Sequence, residues 1–435
     1  MFEPIEVKIE GGYDIELPTL VPVKQLFSTP KVDCINAAVA AEFAKKEISA
    51  LIKPGEKIAV AVGSRGIANL KEIVLSTITN IKNLGAEPFI VPAMASHGGA
   101  TAEGQVKLLA EYGVTAEAMG VPIASSMETV ELGRTSSGVP VYFDKNASEA
   151  DGVVIIARVK PHTDFKGPFE SGLMKMLAIG LGKHKGATHI HSLGFDSFHT
   201  VIPEVGSEII AKAKIKLGVA ALENAYDETA RIEAVPASNI YEREPGLLEE
   251  AKSYMGSIIP RNFDVLIIEE IGKDISGAGM DPNIVGRPGS KLEGFNGPEI
   301  QKLVVFDLTK KTKGNACGIG MADVTTRHLV NQIDFSYLYI NSITSTVLDP
   351  AKIPVTMNTE KEALVIALKT CNRIAAKAAK IVFIKNTLEL DYIYVSEPLL
   401  EELKAREDVQ ILGEPQEITF NEVGRLTLRP SLISI

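Results

Sequence analysis

Between Lys57 and Tyr112 the chain alternates two kinds of hydrophobic pattern, and this alternation limits its fold more than any other feature. Ile58–Val62 is a continuous apolar run ending at Gly63, the pattern of a strand buried on both faces. Leu70, Ile73, Val74, Ile78 and Ile81 then recur at helical spacing, and Gly85 is placed to end that helix. Glu87–Pro92 reads as a second buried strand and 101–112 as a second helix. Strand, helix, strand, helix in that order predicts parallel pairing through right-handed crossovers, hence an α/β domain.

Further strands are expected at 139–143 and 152–159, and helices at 172–181, 203–215 and 245–255. A second α/β block opens at Asp264–Glu270 and continues with a strand at 303–308. The apolar stretch from Ala363 to Ile384, interrupted by Lys369, Asn372, Arg373, Lys377 and Lys380, has the pattern of an amphipathic helix. The expected organisation is two α/β domains with largely parallel sheets, residues 1–260 and 261–408, with a strand-like tail from about 409 to 435 returning to the first. A length of 435 residues accommodates this.

A net charge of −10 argues against a general binder of phosphate backbones, though not against one local basic pocket. No basic segment followed by an apolar stretch opens the chain, and no window of about 20 apolar residues could span a bilayer. Cys34, Cys317 and Cys371 are odd in number and widely spaced, so reduced thiols in a cytoplasmic protein are expected.

In open parallel sheets, ligands sit beyond the carboxyl ends of the strands, and four loops there could carry chemistry. Gly63-Ser64-Arg65-Gly66 places an arginine where it could clamp a carboxylate or phosphate; taken alone, a surface arginine beside a tight turn is the better reading. Met94-ASHGGAT-Thr101 carries His97 among small residues. Gly98 and Gly99 there allow close backbone approach to a ligand, and His97 could act as a general base. The loop after 152–159 holds Lys160, His162, Asp164, Lys166, Gly167 and Pro168. Ser171 is a good N-cap for the helix that follows, whose free N–H groups would bind an anion. Lys175 lies one turn in, close enough to serve that anion or bond to it.

Five of the seven histidines fall between 162 and 199, which points to a metal. In an extended segment His189 and His191 would share a face. Lys183, His184 and Lys185 read as a solvated turn. The fourth loop, Gly272 to Ser290, has five glycines and two prolines, with Lys273 at the strand end to neutralise an anionic substrate.

The stretch VKPHTDFKGPFESGLMK followed by His191 resembles the nickel-pincer racemases, the lactate racemase-like family. In that family a Pro-His pair after a strand precedes a glycine-rich turn and a lysine, and a metal-binding histidine lies sixteen residues beyond the lysine. Here the pair is Pro161-His162, the lysine Lys175, and sixteen further on stands His191. The resemblance implies an active site in the cleft between two domains. It implies that Lys175 holds a pyridinium-3-thioamide-5-thiocarboxylic acid mononucleotide, with nickel bound by that group and His191, and with the phosphate near Gly167 and Ser171. His97 and His162 become two acid/bases on opposite faces of a 2-hydroxyacid, whose α-hydrogen leaves as hydride and returns on the other face. Arg65 and Lys273 become substrate-binding residues. The implied partners are the substrate and the cofactor-biosynthesis proteins, with no nucleic acid and no membrane; oligomeric state is left open.

The loop between His162 and Lys175 is longer than the family's, and the VGSRG turn lacks the family's acid and proline. Both departures point away from lactate towards a larger or more polar 2-hydroxyacid, such as a sugar acid. The residues also allow two other readings. A zinc-dependent hydrolase or lyase would use His189, His191 and a carboxylate, but no HExxH-type motif is present. A non-catalytic binder of an anionic metabolite would leave Lys175 unmodified.

Overall fold

The computed structural model describes residues 3–63 and 66–433. The chain forms two compact units, one of residues 28–255 and one of residues 1–27 together with 256–435.

In the unit of residues 28–255, five strands lie in the order Glu87–Pro92, Lys57–Val62, Gly152–Arg158, Ile215–Glu223, Thr229–Pro236. The first four pair in parallel and the last is antiparallel. From Lys57–Val62 the chain passes outwards to Glu87–Pro92, then returns to the other side as Gly152–Arg158. This reversal opens a crevice beyond the carboxyl ends of the two central strands, where the loops starting at Gly63 and Val159 emerge. The helix Leu70–Asn83 buries the five apolar residues its spacing selected, packed with Ile58, Val60 and Val62. Each such side chain contributes about 1.5–3 kcal/mol by leaving water. The helix Ala102–Glu111 starts where Thr101 accepts the Gly104 N–H at 3.0 Å.

The strand expected at 139–143 is present as Pro140–Asp144, which pairs with Thr129–Arg134 in a separate two-stranded sheet. Two helix starts are corrected here. The helices Phe198–Lys212 and Ile240–Tyr254 begin a turn and a half before Pro203 and Pro245, which lie inside them. Those prolines were read as helix starts because that is where proline is most at home.

In the other unit, eight strands lie in the order Val355–Met357, Val324–Thr326, Glu299–Leu308, Asn262–Ile271, Ile381–Ile384, Tyr392–Ser396, Leu20–Gln25, Val409–Ile411. The first five pair in parallel and the remaining pairings are antiparallel. The tail strand pairs with Leu20–Gln25, and both belong to this unit; the division at 255–256 falls near the expected 260, while the placement of residues 1–27 and the expected return of the tail are corrected. Leu20–Gln25 is drawn there because Tyr392–Ser396 offers an antiparallel partner edge, from Leu20↔Ser396 to Lys24↔Tyr392. The helix expected to reach Ile384 ends at Lys369, and Ile381–Ile384 is a fully buried central strand. Among the described residues no helix is long and apolar enough to cross a membrane.

Candidate active site

The residues from Lys160 to Ser171 form a closed loop. Its base is a two-way backbone pairing, Lys160 N–H to Ser171 O at 2.9 Å and Ser171 N–H to Lys160 O at 3.1 Å. Inside it, Glu170 is 1% exposed and draws the loop together. Its Oε2 accepts the His162 N–H at 2.7 Å and the Lys166 ammonium at 3.0 Å, and its Oε1 lies 3.2 Å from Lys252 Nζ. Glu170→Ala would leave these donors beside a void. An expected loss of about 2–4 kcal/mol follows, readable by urea unfolding, with faster hydrogen exchange at the His162 amide. Unchanged exchange there would remove Glu170 from this role.

His162 is fixed on two sides. Its Nδ1 accepts the Asp164 N–H at 3.0 Å, and its ring centroid lies 4.4 Å from that of Phe165. An accepting Nδ1 puts the proton of the neutral ring on Nε2, which therefore presents a donor. Taking up a proton at Nε2 requires the Asp164 contact to be released.

After Ser171 the chain makes one short helical turn, Leu173–Lys175, then a π-helical turn, Met176–Gly180, before the helix Lys183–His191. π-turns are rare and concentrate at functional sites. A Cβ on Gly63 would meet Met176 Cε at 2.8 Å, and one on Gly180 would meet the Ala93 carbonyl at 2.9 Å. The turn after Lys175 is thus seated against the chain leaving two adjacent strands.

The expected anion site at Ser171 is corrected. Ser171 is held in its backbone bridge, and Gly172 occupies the N-cap position. The Met174 N–H donates to Glu244 at 2.9 Å, and the Leu173 N–H also stabilises that carboxylate. Glu244 comes from the helix Ile240–Tyr254, and its carboxyl is pushed up to about 8 by burial. Gly172 admits it, since a Cβ there would lie 2.0 Å from Glu244 Oε1. Gly167 likewise makes room for protein, with its missing Cβ facing His199.

Lys175 and His191 meet in an aromatic cluster. Lys175 Nζ lies 5.7 Å from the Phe165 ring centroid, while the His191 ring lies edge-on to Phe195 at 5.6 Å and to Phe198 at 5.1 Å. Phe195 is also 6.2 Å from His162. Burial and the Lys175 charge push the His191 imidazole down to about 4, so its nitrogen lone pair is available at neutral pH. His189 sits two residues earlier on the same helix, roughly 200° around it. The shared face expected for an extended segment is corrected, and only His191 faces the cluster.

His97 is exposed on a tightly wound loop in which Ala95, Gly98, Gly99 and Ala100 all have positive φ. Gly98 is required there, since a Cβ would strike the Gly104 backbone at 2.5 Å. The Ala95 N–H donates to Gly180 O at 3.3 Å, tying this loop to the π-turn after Lys175. Arg65 lies outside the described residues. Lys273 belongs to the other compact unit, where its ammonium donates to Gly277 O within its own loop. Among the described residues no three His, Cys, Asp or Glu side chains are grouped to hold a metal.

Residues 13–200 match the model of the lactate racemase N-terminal domain, a span that holds His97, His162, Lys175 and His191. Over those residues the chain carries a lactate racemase N-terminal domain. No curated protein matches it in sequence. The fold is similar to that of the lactate racemase apoprotein from Thermoanaerobacterium thermosaccharolyticum, with a TM-score of 0.53 and 15% identity over 84% of this chain and 93% of that one. Glu170 and Glu244 support the chain on either side of Ser171. Glu244 carried no signal in the sequence, because it acts on backbone amides that no residue pattern marks. The phenylalanines did carry one, Phe195 and Phe198 standing one helical turn apart.

Proposed function

We propose that this protein carries a nickel-pincer nucleotide on Lys175 and inverts the hydroxyl-bearing carbon of a 2-hydroxyacid. The observation behind this reading is the cluster itself, in which Lys175, a neutral His191 and a tautomer-fixed His162 gather around Phe165, Phe195 and Phe198. The donor set fits the group. A pincer brings three donors of its own and needs one further ligand, and His191 is a neutral imidazole of the kind that suits nickel. The phosphate does not fit at Leu173 and Met174, whose amides Glu244 already holds.

When bound, the group would supply a reversible hydride acceptor. The chain's own residues would supply the proton transfers and the orientation. His162, taken to the imidazolium with its Asp164 contact released, would hand its Nε2 proton to the substrate oxygen and return to a neutral ring, and His97 would take the hydroxyl proton in that direction. In the reverse direction the roles exchange. Phe165, Phe195 and Phe198 would exclude water from the reacting carbon. Arg65 and Lys273 are the proposed carboxylate partners. The longer His162 loop favours a larger or more polar acid than lactate.

The test is to produce the chain with the cofactor-making enzymes, then measure intact mass, nickel content and stereochemical exchange on a panel of 2-hydroxyacids. An adduct on Lys175, bound nickel and exchange on at least one acid are expected. His97→Ala and His162→Ala should each lower exchange by about 10²–10⁴-fold. An unmodified Lys175 without nickel under these conditions would sink the proposal and favour a non-catalytic binder.

A further inference from the structure

The sequence reading places Lys183 in a solvated turn, yet its side chain is 0% exposed and lies 2.9 Å from Asp144, which is also 0% exposed. Its ammonium donates to the carbonyl of Pro92, where the strand leading to the His97 loop ends, and lies 3.4 Å from Gln105 Oε1. The same Gln105 turns its amide N–H groups to the carbonyls of Ala95, at 3.1 Å, and His97, at 3.3 Å. Asp144 is anchored in turn, its Oδ1 accepting the Ala147 N–H at 2.9 Å. A continuous polar chain therefore runs from Asp144 through Lys183 and Gln105 to the backbone of His97.

Stability alone does not account for this lysine. A buried ion pair is commonly no more stabilising than apolar residues of the same volume. Lys183 also has a φ of +54°, where glycine would relieve strain. Its position matters instead. Lys183 opens the helix that ends at His191 and follows the π-turn that begins after Lys175. We infer that Lys183 is a positioning residue, which through Gln105 sets the His97 loop against the segment carrying Lys175 and His191. This rests on the reading of His97 as an acid/base group. The geometric part concerns the protein without cofactor and is tested there.

Two variants separate the roles. Asp144→Asn/Lys183→Met removes the pair without leaving a lone buried charge. Gln105→Leu keeps the pair and cuts its link to the loop. In unloaded, histidine-labelled protein, the His97 side-chain resonance, assigned by its loss in His97→Gln, is expected to shift or broaden in both variants. The His162 and His191 resonances should keep their positions. In loaded protein the same variants should lower kcat by roughly 10–100-fold with a smaller effect on KM. An unmoved His97 resonance in folded Gln105→Leu overturns the inference, even if the double variant fails to fold. A moved resonance in a chain with no racemase activity keeps the positioning role and removes only the proposed function.

Discussion

Exchanging Lys175 for arginine is expected to abolish both the adduct and nickel retention, whereas exchanging His191 for alanine should keep the adduct and lose the metal. Arginine preserves the positive charge near Phe165 but has no amine to acylate, so the mass of the co-produced chain should stay that of the bare polypeptide. Alanine at 191 leaves Lys175 reactive and removes the single protein nitrogen proposed for nickel. Even an outer partner of a metal ligand is worth about 10–100-fold in affinity, and losing the ligand itself should cost at least as much. His189→Ala is the control, since the helix turns that ring away from the cluster, and it should retain adduct and nickel alike. Nickel kept by His191→Ala and lost by His189→Ala would transfer the role to His189. An adduct persisting in Lys175→Arg would place the anchor elsewhere.

The elements read most directly from the sequence were those whose stability is local. Ile58–Val62 and the helix Leu70–Asn83 each bury their own apolar pattern in the unit of residues 28–255, so periodicity was enough. Ile381–Ile384 was misread because a central parallel strand is apolar on both faces and cannot be told from a helix by period alone. The pairing of Leu20–Gln25 with Tyr392–Ser396 spans most of the chain, and no local pattern marks such a contact. The site divides in the same way. The interval from Lys175 to His191 is a sequence quantity and was legible. Separating His189 from His191 required knowing that the segment is helical. Lys183 was misjudged because lysines flanked by histidine and glycine are ordinarily solvated, and its partners Asp144 and Gln105 lie far off in sequence.

Glu244 should make the stability of this protein fall as pH rises from about 4 to about 8. Its folded-state pKa is raised to about 8, with burial the leading cause and the Met174 and Leu173 amides opposing it. An unfolded glutamate titrates near 4.3. Between these values the folded chain holds a proton that the unfolded chain has released, so unfolding releases a proton and is favoured by rising pH. Below the window both states are protonated and the effect vanishes. Above it the penalty is complete, on the order of 3–5 kcal/mol. Glu244→Gln keeps an oxygen for the two amides and removes the titration. Urea unfolding should therefore find the variant close to wild type near pH 4 and more stable near pH 8, with a flatter profile between. Parallel profiles for the two proteins would remove Glu244 as the source of the slope. Glu244→Ala has a different effect, because it leaves the Leu173 and Met174 amides unpartnered at about 1–3 kcal/mol each. That variant should lose stability at every pH and loosen the turn that carries Lys175, so its adduct should form more slowly than in Glu244→Gln.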